Sequence, residues 1–215
     1  MKQFRSVLIL GLGCFALVAQ TLLFRDFLTA FEGNELGVGS FFGSWLIWVG
    51  LGAVTGRVAV RRLGGLTRRF ELTVLLYIPA FLLQHYLITH ARGLGGVSAY
   101  EVYPLGRMFV VSMIANAPVS LTTGLLFTAA CGWWQREQAL PPARVYLIEA
   151  LGGFLGGIAV TVLLANGVTA ESLICWAAAV LVASAATAWL ATDNSERSRA
   201  SGAALLLLLV TLSMI

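Results

Sequence analysis

One carboxylic acid interrupts a long apolar stretch of the sequence, and it is the first residue that could do chemistry. Glu149 lies about 7 Å into the apolar segment 144–165, at the ~1.5 Å rise per residue of a helix. A carboxyl group facing lipid would be costly, so Glu149 should face protein. It predicts either a member of a helix-packing seam or a site for a proton, a cation or a ligand. The polar residues that could share this intramembrane site are Tyr146, Asn116, Ser120 and Thr123.

A second group of polar residues follows the first apolar run. The segment 25–35 contains three of the ten acids of the chain, and its candidate outer-edge site consists of Arg25, Asp26, Glu32, Asn34 and Glu35. A binding site and simple mutual solvation of these charges at a membrane edge explain the composition equally well.

His85 and His90 are the only two histidines. They are five residues apart and point to different sides of a helix, so they cannot be the two axial ligands of one haem. A single haem or metal ligand and an ordinary interfacial histidine are both open. No Ser-His-Asp set and no zinc-binding spacing occurs, so no metal site is predicted, and the sequence leaves the cofactor unknown. The run GGFLGG lies inside an apolar segment without a preceding strand, which excludes a dinucleotide-binding loop.

The composition places these residues in a membrane. Apolar residues make up 59% of the 215 residues, charged residues only 11%, and the mean hydropathy is +0.87. A soluble domain would carry about twice that share of charge. The net charge of +4 arises from arginines in short loops and does not indicate nucleic acid. We expect a multi-pass protein of the inner (plasma) membrane, with membrane lipid as a partner.

The expected fold class is all-α, a polytopic transmembrane helix bundle of about seven helices in one domain covering 1–215. The predicted spans are about 6–24, 37–60, 70–90, 107–133, 144–165, 172–191 and 200–215, with an interfacial amphipathic helix at 25–33. The run 200–215 would be roughly 24 Å long as a helix, slightly short for a crossing. Either this helix is short or the chain continues, and a soluble domain beyond Ile215 is an open question.

The arginine distribution predicts an orientation. Only three of the fourteen Lys and Arg residues, Arg25, Arg92 and Arg107, fall on one side of the predicted spans. The other eleven fall on the side of the amino end, which the positive-inside rule assigns to the cytoplasm.

Paired small residues predict where helices pack closely. Gly152, Gly153, Gly156 and Gly157 follow Glu149, and the second span contains two further pairs, Gly39 with Gly43 and Gly52 with Gly56. Glycines three or four residues apart let another helix approach. Pro118 should bend the fourth span and free the carbonyl of Ile114, with Asn116 or nearby hydroxyls satisfying what is left.

Four stretches of the chain are similar to a known family. ALVAQTLLFRDF (16–27), GNELGVGSFFGSWLIWVGLGAVTGR (33–57), PVSLTTGLLFTAAC (118–131) and ARVYLIEALGGFLGG (143–157) resemble the membrane-embedded half of spermidine synthase-like integral membrane proteins. The resemblance covers roughly residues 10–165, with Gln20, Arg25, Asn34, Glu35, Tyr146 and Glu149 as its polar markers. It implies several helices joined to an aminopropyltransferase-type domain of Rossmann architecture. That soluble half has no counterpart here, so aminopropyl transfer by this chain alone is not expected.

Three functions are compatible with the sequence. The first is a non-catalytic membrane subunit that anchors or assembles with partners, either other protein subunits or copies of itself. The second is a small-molecule transporter, with polyamine or another cation near Glu149. The third is a quinone- or cytochrome-associated subunit of a membrane redox complex.

Overall fold

The computed structural model describes residues 2–33, 35–63, 69–98, 101–135 and 142–190, and all regular structure in these ranges is helical. The helices are α1 (Lys2–Ala30), α2 (Glu35–Leu63), α3 (Phe70–Thr73), α4 (Tyr77–Thr89), α5 (Ala91–Leu94), α6 (Leu105–Ala115), α7 (Ala117–Gln135), α8 (Pro142–Ala165) and α9 (Ala170–Leu190), and a 3-10 turn, Val74–Leu76, joins α3 to α4.

Five segments of the described chain are long and apolar enough to cross a membrane: Arg5–Ala30, Glu35–Arg62, Phe70–Thr89, Pro142–Ala165 and Ala170–Leu190. A sixth crossing results if Leu105–Ala115 and Ala117–Trp134, bent by 45°, form one span. The described chain is therefore all-helical, as predicted, and its five or six long apolar helices are compatible with a membrane bundle. The seventh predicted span, 200–215, lies outside the described residues, and the cytoplasmic amino end stays a prediction.

The first helix is longer than expected. Residues 25–30 continue α1 without a break, where the sequence suggested a separate interfacial helix at 25–33. Phe27 and Phe31 of this segment are buried in the protein, and their rings stack with centroids 4.2 Å apart. After the end of α1 at Ala30 the backbone turns through left-handed Glu32 (φ 61°) and Gly33 (φ 65°), and the Gly33 N–H donates to the Leu28 carbonyl at 2.8 Å.

Two helix pairs make the closest contacts of the bundle. α1 packs along α8, where Gly152 and Gly156 are buried and face the α1 backbone. α2 packs along α7, where a Cβ on Gly52 would overlap the Leu121 carbonyl oxygen and a Cβ on Gly124 would overlap that of Val49. The helix α4 contacts both α1 and α7 and so connects the two pairs.

The orientation can be tested by cysteine labelling in a variant that lacks the three native cysteines. We expect an impermeant maleimide to label Ser98→Cys, in the predicted outer loop, in intact cells. Thr67→Cys, in the basic loop predicted to be cytoplasmic, should react only after lysis. Labelling of Thr67→Cys from outside, with Ser98→Cys protected, would reverse the orientation.

Candidate functional site

The fourth predicted span, 107–133, is broken at Asn116 into α6 and α7. The break leaves backbone groups without partners inside the helix, and side chains of neighbouring helices form hydrogen bonds with two of them. The indole N–H of Trp48 in α2 donates to the Met113 carbonyl at 2.7 Å. The Val119 N–H donates to Gln84 Oε1 of α4 at 2.9 Å. The bend predicted from Pro118 is present, at Asn116. The backbone groups that receive side-chain partners there are the Met113 carbonyl and the Val119 N–H, where the sequence analysis had named the Ile114 carbonyl.

Asn116 itself is the centre of a buried amide network. Its Oδ1 accepts a hydrogen bond from Gln84 Nε2 at 3.1 Å. Its Nδ2 donates to Ser44 Oγ at 2.7 Å and to the Phe41 carbonyl at 3.1 Å. Asn116, Gln84 and Ser44 are all fully or almost fully buried. The network joins α2, α4 and the α6–α7 break, and it uses both polar atoms of the Asn116 side chain, which favours a structural role.

Ser120 and Thr123 lie one and two turns further along α7. The Ser120 hydroxyl is buried and, like that of Ser40 in α2, has no hydrogen-bond partner among the described residues. Thr123 forms a hydrogen bond with the Tyr77 hydroxyl of α4. The two residues that the sequence analysis grouped are thus in different environments.

Glu149 lies at the contact between α8 and α1. The Gly13 position of α1 lies directly against the Glu149 backbone carbonyl, so the two helices touch here. The half-buried Glu149 side chain interacts electrostatically with Tyr77 and Cys131. Within the described part of the chain it has no hydrogen bond to Asn116 or Ser120. The predicted intramembrane set is therefore not one site: Thr123 bonds to Tyr77, Asn116 belongs to the amide network, and Glu149 has no hydrogen bond to either group in the described part of the chain.

Tyr146 does not join either group. Its side chain is 64% exposed, and its ring meets Phe127 edge-on with centroids 6.5 Å apart. The Tyr146 side chain therefore points away from the helix bundle.

Two of the outer-edge acids pair with basic side chains of other segments. Asp26 Oδ2 lies 2.9 Å from His85 Nδ1 of α4, and Glu32 Oε1 accepts from Arg92 Nη1 at 2.8 Å. Arg25 is exposed and interacts electrostatically with Glu171 of α9. Glu35 is exposed in the first turn of α2, and Asn34 lies outside the described residues.

The Glu32–Arg92 pair stabilises the loop between α5 and α6. Arg92 Nη2 also donates to the Ser98 and Glu101 carbonyls, each at 2.7 Å. Beneath it, the buried Tyr103 hydroxyl donates to the Ala91 carbonyl at 2.9 Å. Burial raises the pKa of Tyr103, although Arg92 and Arg107 act in the opposite direction, so the phenol stays protonated as this bond requires. These contacts give Glu32 a structural role, because it pairs with the arginine that binds the loop carbonyls.

The Asp26–His85 pair is different because it borders a groove. The groove has a volume of about 400 Å³ and lies between α1, α4 and α9, with Asp26, His85 and Glu171 at one end. The sequence analysis missed this combination, and it also missed Gln84 and Ser44. Isolated polar residues inside apolar spans, such as Gln84 in FLLQHYLI, were the available signal.

The comparisons with protein-family models, curated proteins and solved structures return no match to this chain. In the described ranges, no group of three or more His, Cys, Asp or Glu side chains is placed to hold a metal ion.

Proposed function

We propose that this protein is a non-catalytic subunit of a membrane complex. In this proposal, the side of α2 that points away from the rest of the bundle binds a transmembrane helix of another subunit. The observation that carries the proposal is a set of three glycines, Gly39, Gly43 and Gly50, which we call the α2 glycine face. No atom of another described helix lies within 4 Å of a Cβ built on any of them.

The spacing places these glycines together. Intervals of four and seven residues bring them to one side of a helix. Leu36, Leu46 and Val54, which are exposed by 62%, 61% and 64%, flank them. The result is an apolar surface with a shallow central track of small residues.

Other glycines of the bundle show what such a track does. Gly52 on the opposite side of α2 and Gly124 of α7 lie directly against the backbone of the other helix. Helices in lipid associate by close packing, since lipid removes the hydrophobic drive between them, and small residues permit that packing. A glycine inside a helix costs about 1 kcal/mol relative to alanine, which an intermolecular contact would offset.

The test compares two glycines of the same helix. Gly43→Leu adds a side chain where the described chain leaves space, so the stability of the isolated protein should change by less than about 0.5 kcal/mol. The mass of the gently extracted native particle should fall to that of the single chain. Gly52→Leu should instead lower the thermal stability of the isolated chain, by about 1–3 kcal/mol or more from overpacking.

Mass measurement of the wild-type particle decides the proposal. A mixed particle that Gly43→Leu disperses supports it. A single chain with aminopropyltransferase turnover would contradict it, and a homodimer would keep the α2 contact but reject the role in a mixed complex.

Cation transport is the alternative that involves Glu149. In the described part of the chain, Glu149 is a half-buried carboxyl group at the contact between α8 and α1. Loss of a polyamine-dependent thermal shift in Glu149→Gln would favour that alternative, because a ligand that binds only the folded protein stabilises it.

A further inference from the structure

The groove between α1, α4 and α9 has one polar end and one apolar end. Asp26, His85 and Glu171 lie at the end near the predicted outer surface. Phe15, Ile78 and Ala178 line the opposite end, towards the middle of the helices. Phe15 and Asp26 are eleven residues apart in α1, which corresponds to about 16 Å. This polarity matches that of an amphiphile lying parallel to the helices, with its head outward.

His85 is oriented by Asp26. An ionised carboxylate only accepts hydrogen bonds, so the Nδ1–H of His85 donates to Asp26 over the observed 2.9 Å. The ring also lies parallel to that of Phe81, with an interplanar angle of 6° and centroids 6.1 Å apart. Among the described residues, Nε2 has no hydrogen-bond partner. Two contacts therefore fix the ring and leave one nitrogen available to a ligand.

The free nitrogen can bind both redox forms of one class of molecule. With Nδ1 protonated, a neutral ring accepts a hydrogen bond at Nε2, which suits the hydroxyl of a quinol. A protonated ring donates from Nε2, which suits the carbonyl oxygen of a quinone.

We propose that this groove binds a lipid-soluble quinone or quinol, with the oxygen of its head group hydrogen-bonded to His85 Nε2 and its tail against the apolar end. The proposal concerns binding only and is independent of the α2 glycine face.

The charges at the polar end favour a neutral head group. The groups that face His85 are Asp26 from α1 and Glu171 from α9, and Arg25 lies near Glu171. Two carboxylates disfavour a phosphate or carboxylate head. A polyamine carries charges along its length, and the apolar residues that line the rest of the groove would desolvate them.

The test is a thermal-shift titration of the purified protein in detergent with decylubiquinone and decylubiquinol. Wild type and His90→Ala should be stabilised, because His90 is exposed, bonds to the Tyr86 carbonyl and lies outside the groove. His85→Ala should bind about tenfold more weakly, the expected effect of one lost hydrogen bond. Ala178→Phe, which fills the apolar end, should abolish the shift while His85 and Asp26 are intact.

A chemical readout locates the ligand. Cys175 lines the groove and is exposed. In a protein whose only cysteine is Cys175, decylubiquinone should slow its alkylation by N-ethylmaleimide, and Ala178→Phe should lose this ligand-dependent protection. Melting of each variant without ligand verifies folding.

Three outcomes would overturn the proposal. The first is an equal shift with decylbenzene, which has the ring and tail but no oxygen and would show apolar filling alone. The second is stabilisation by spermidine in place of the quinone. The third is the absence of any quinone-dependent shift in wild type.

Discussion

Asn116→Ala should destabilise the protein by about 3 kcal/mol in detergent unfolding, because it removes three buried hydrogen bonds and leaves the Gln84 Nε2 group without its acceptor. The Gln84 amide would lose its acceptor, while Ser44 Oγ and the Phe41 carbonyl would each lose one hydrogen bond and keep the bond between them. Each unsatisfied buried group costs roughly 1–3 kcal/mol. Hydrogen bonds between membrane helices are worth less on average, about 0.6 kcal/mol, which keeps the expected total below the simple sum.

Asn166→Ala is the matched control. The Asn166 amide donates to the Val162 carbonyl at 2.8 Å, but both residues are exposed at the end of α8, so stability should change by less than about 0.5 kcal/mol. Gln84→Ala combined with Asn116→Ala should cost less than the sum of the single changes, since both belong to one network. Additive losses, or equal effects of the Asn116 and Asn166 changes, would show that the buried amide network does not stabilise the fold as one unit.

Gly152→Ala should have the second large effect, about 3 kcal/mol or more. A Cβ at Gly152 would overlap the Leu10 carbonyl oxygen of α1, and backbone cannot move aside as the end of a flexible side chain does. The helices α1 and α8 would have to separate, which loses contacts over their shared length. Thermal unfolding in detergent measures this change.

Gly153→Ala is the neighbouring control with the same chemical change. Its Cβ would meet the Gly13 carbonyl oxygen at 3.6 Å and Leu17 Cβ at 3.8 Å, ordinary contact distances. It should therefore be nearly neutral. Gly156→Leu should be strongly destabilising, since even a Cβ there lies 2.8 Å from the Cys14 carbonyl oxygen. Equal stability of Gly152→Ala and Gly153→Ala would show that α1 and α8 are not in close contact.

Hydropathy located most of the described helices. Predicted spans such as 37–60 and 144–165 overlap α2 and α8, because in lipid every backbone group must bond within its own helix and apolar runs mark such helices. The same local logic predicted the bend near Pro118 and the close contacts at Gly52 and Gly152, but it predicted such contacts equally for Gly39 and Gly43, which meet no other described helix. Which glycine bears the tightest contact was not readable, since Gly152 and Gly153 differ by only one step around the helix.

Only the tertiary structure decided which polar residues meet. Glu149 and Asn116 are both isolated polar residues in apolar segments, yet one lies against α1 and the other between α2 and α4. His85 was an isolated histidine in the sequence, and the neighbouring α1 and α9 supply Asp26 and Glu171 from 59 residues before it and 86 residues after it. Periodicity fixes the face of a helix on which a residue lies. The packing of the helices determines what that face meets.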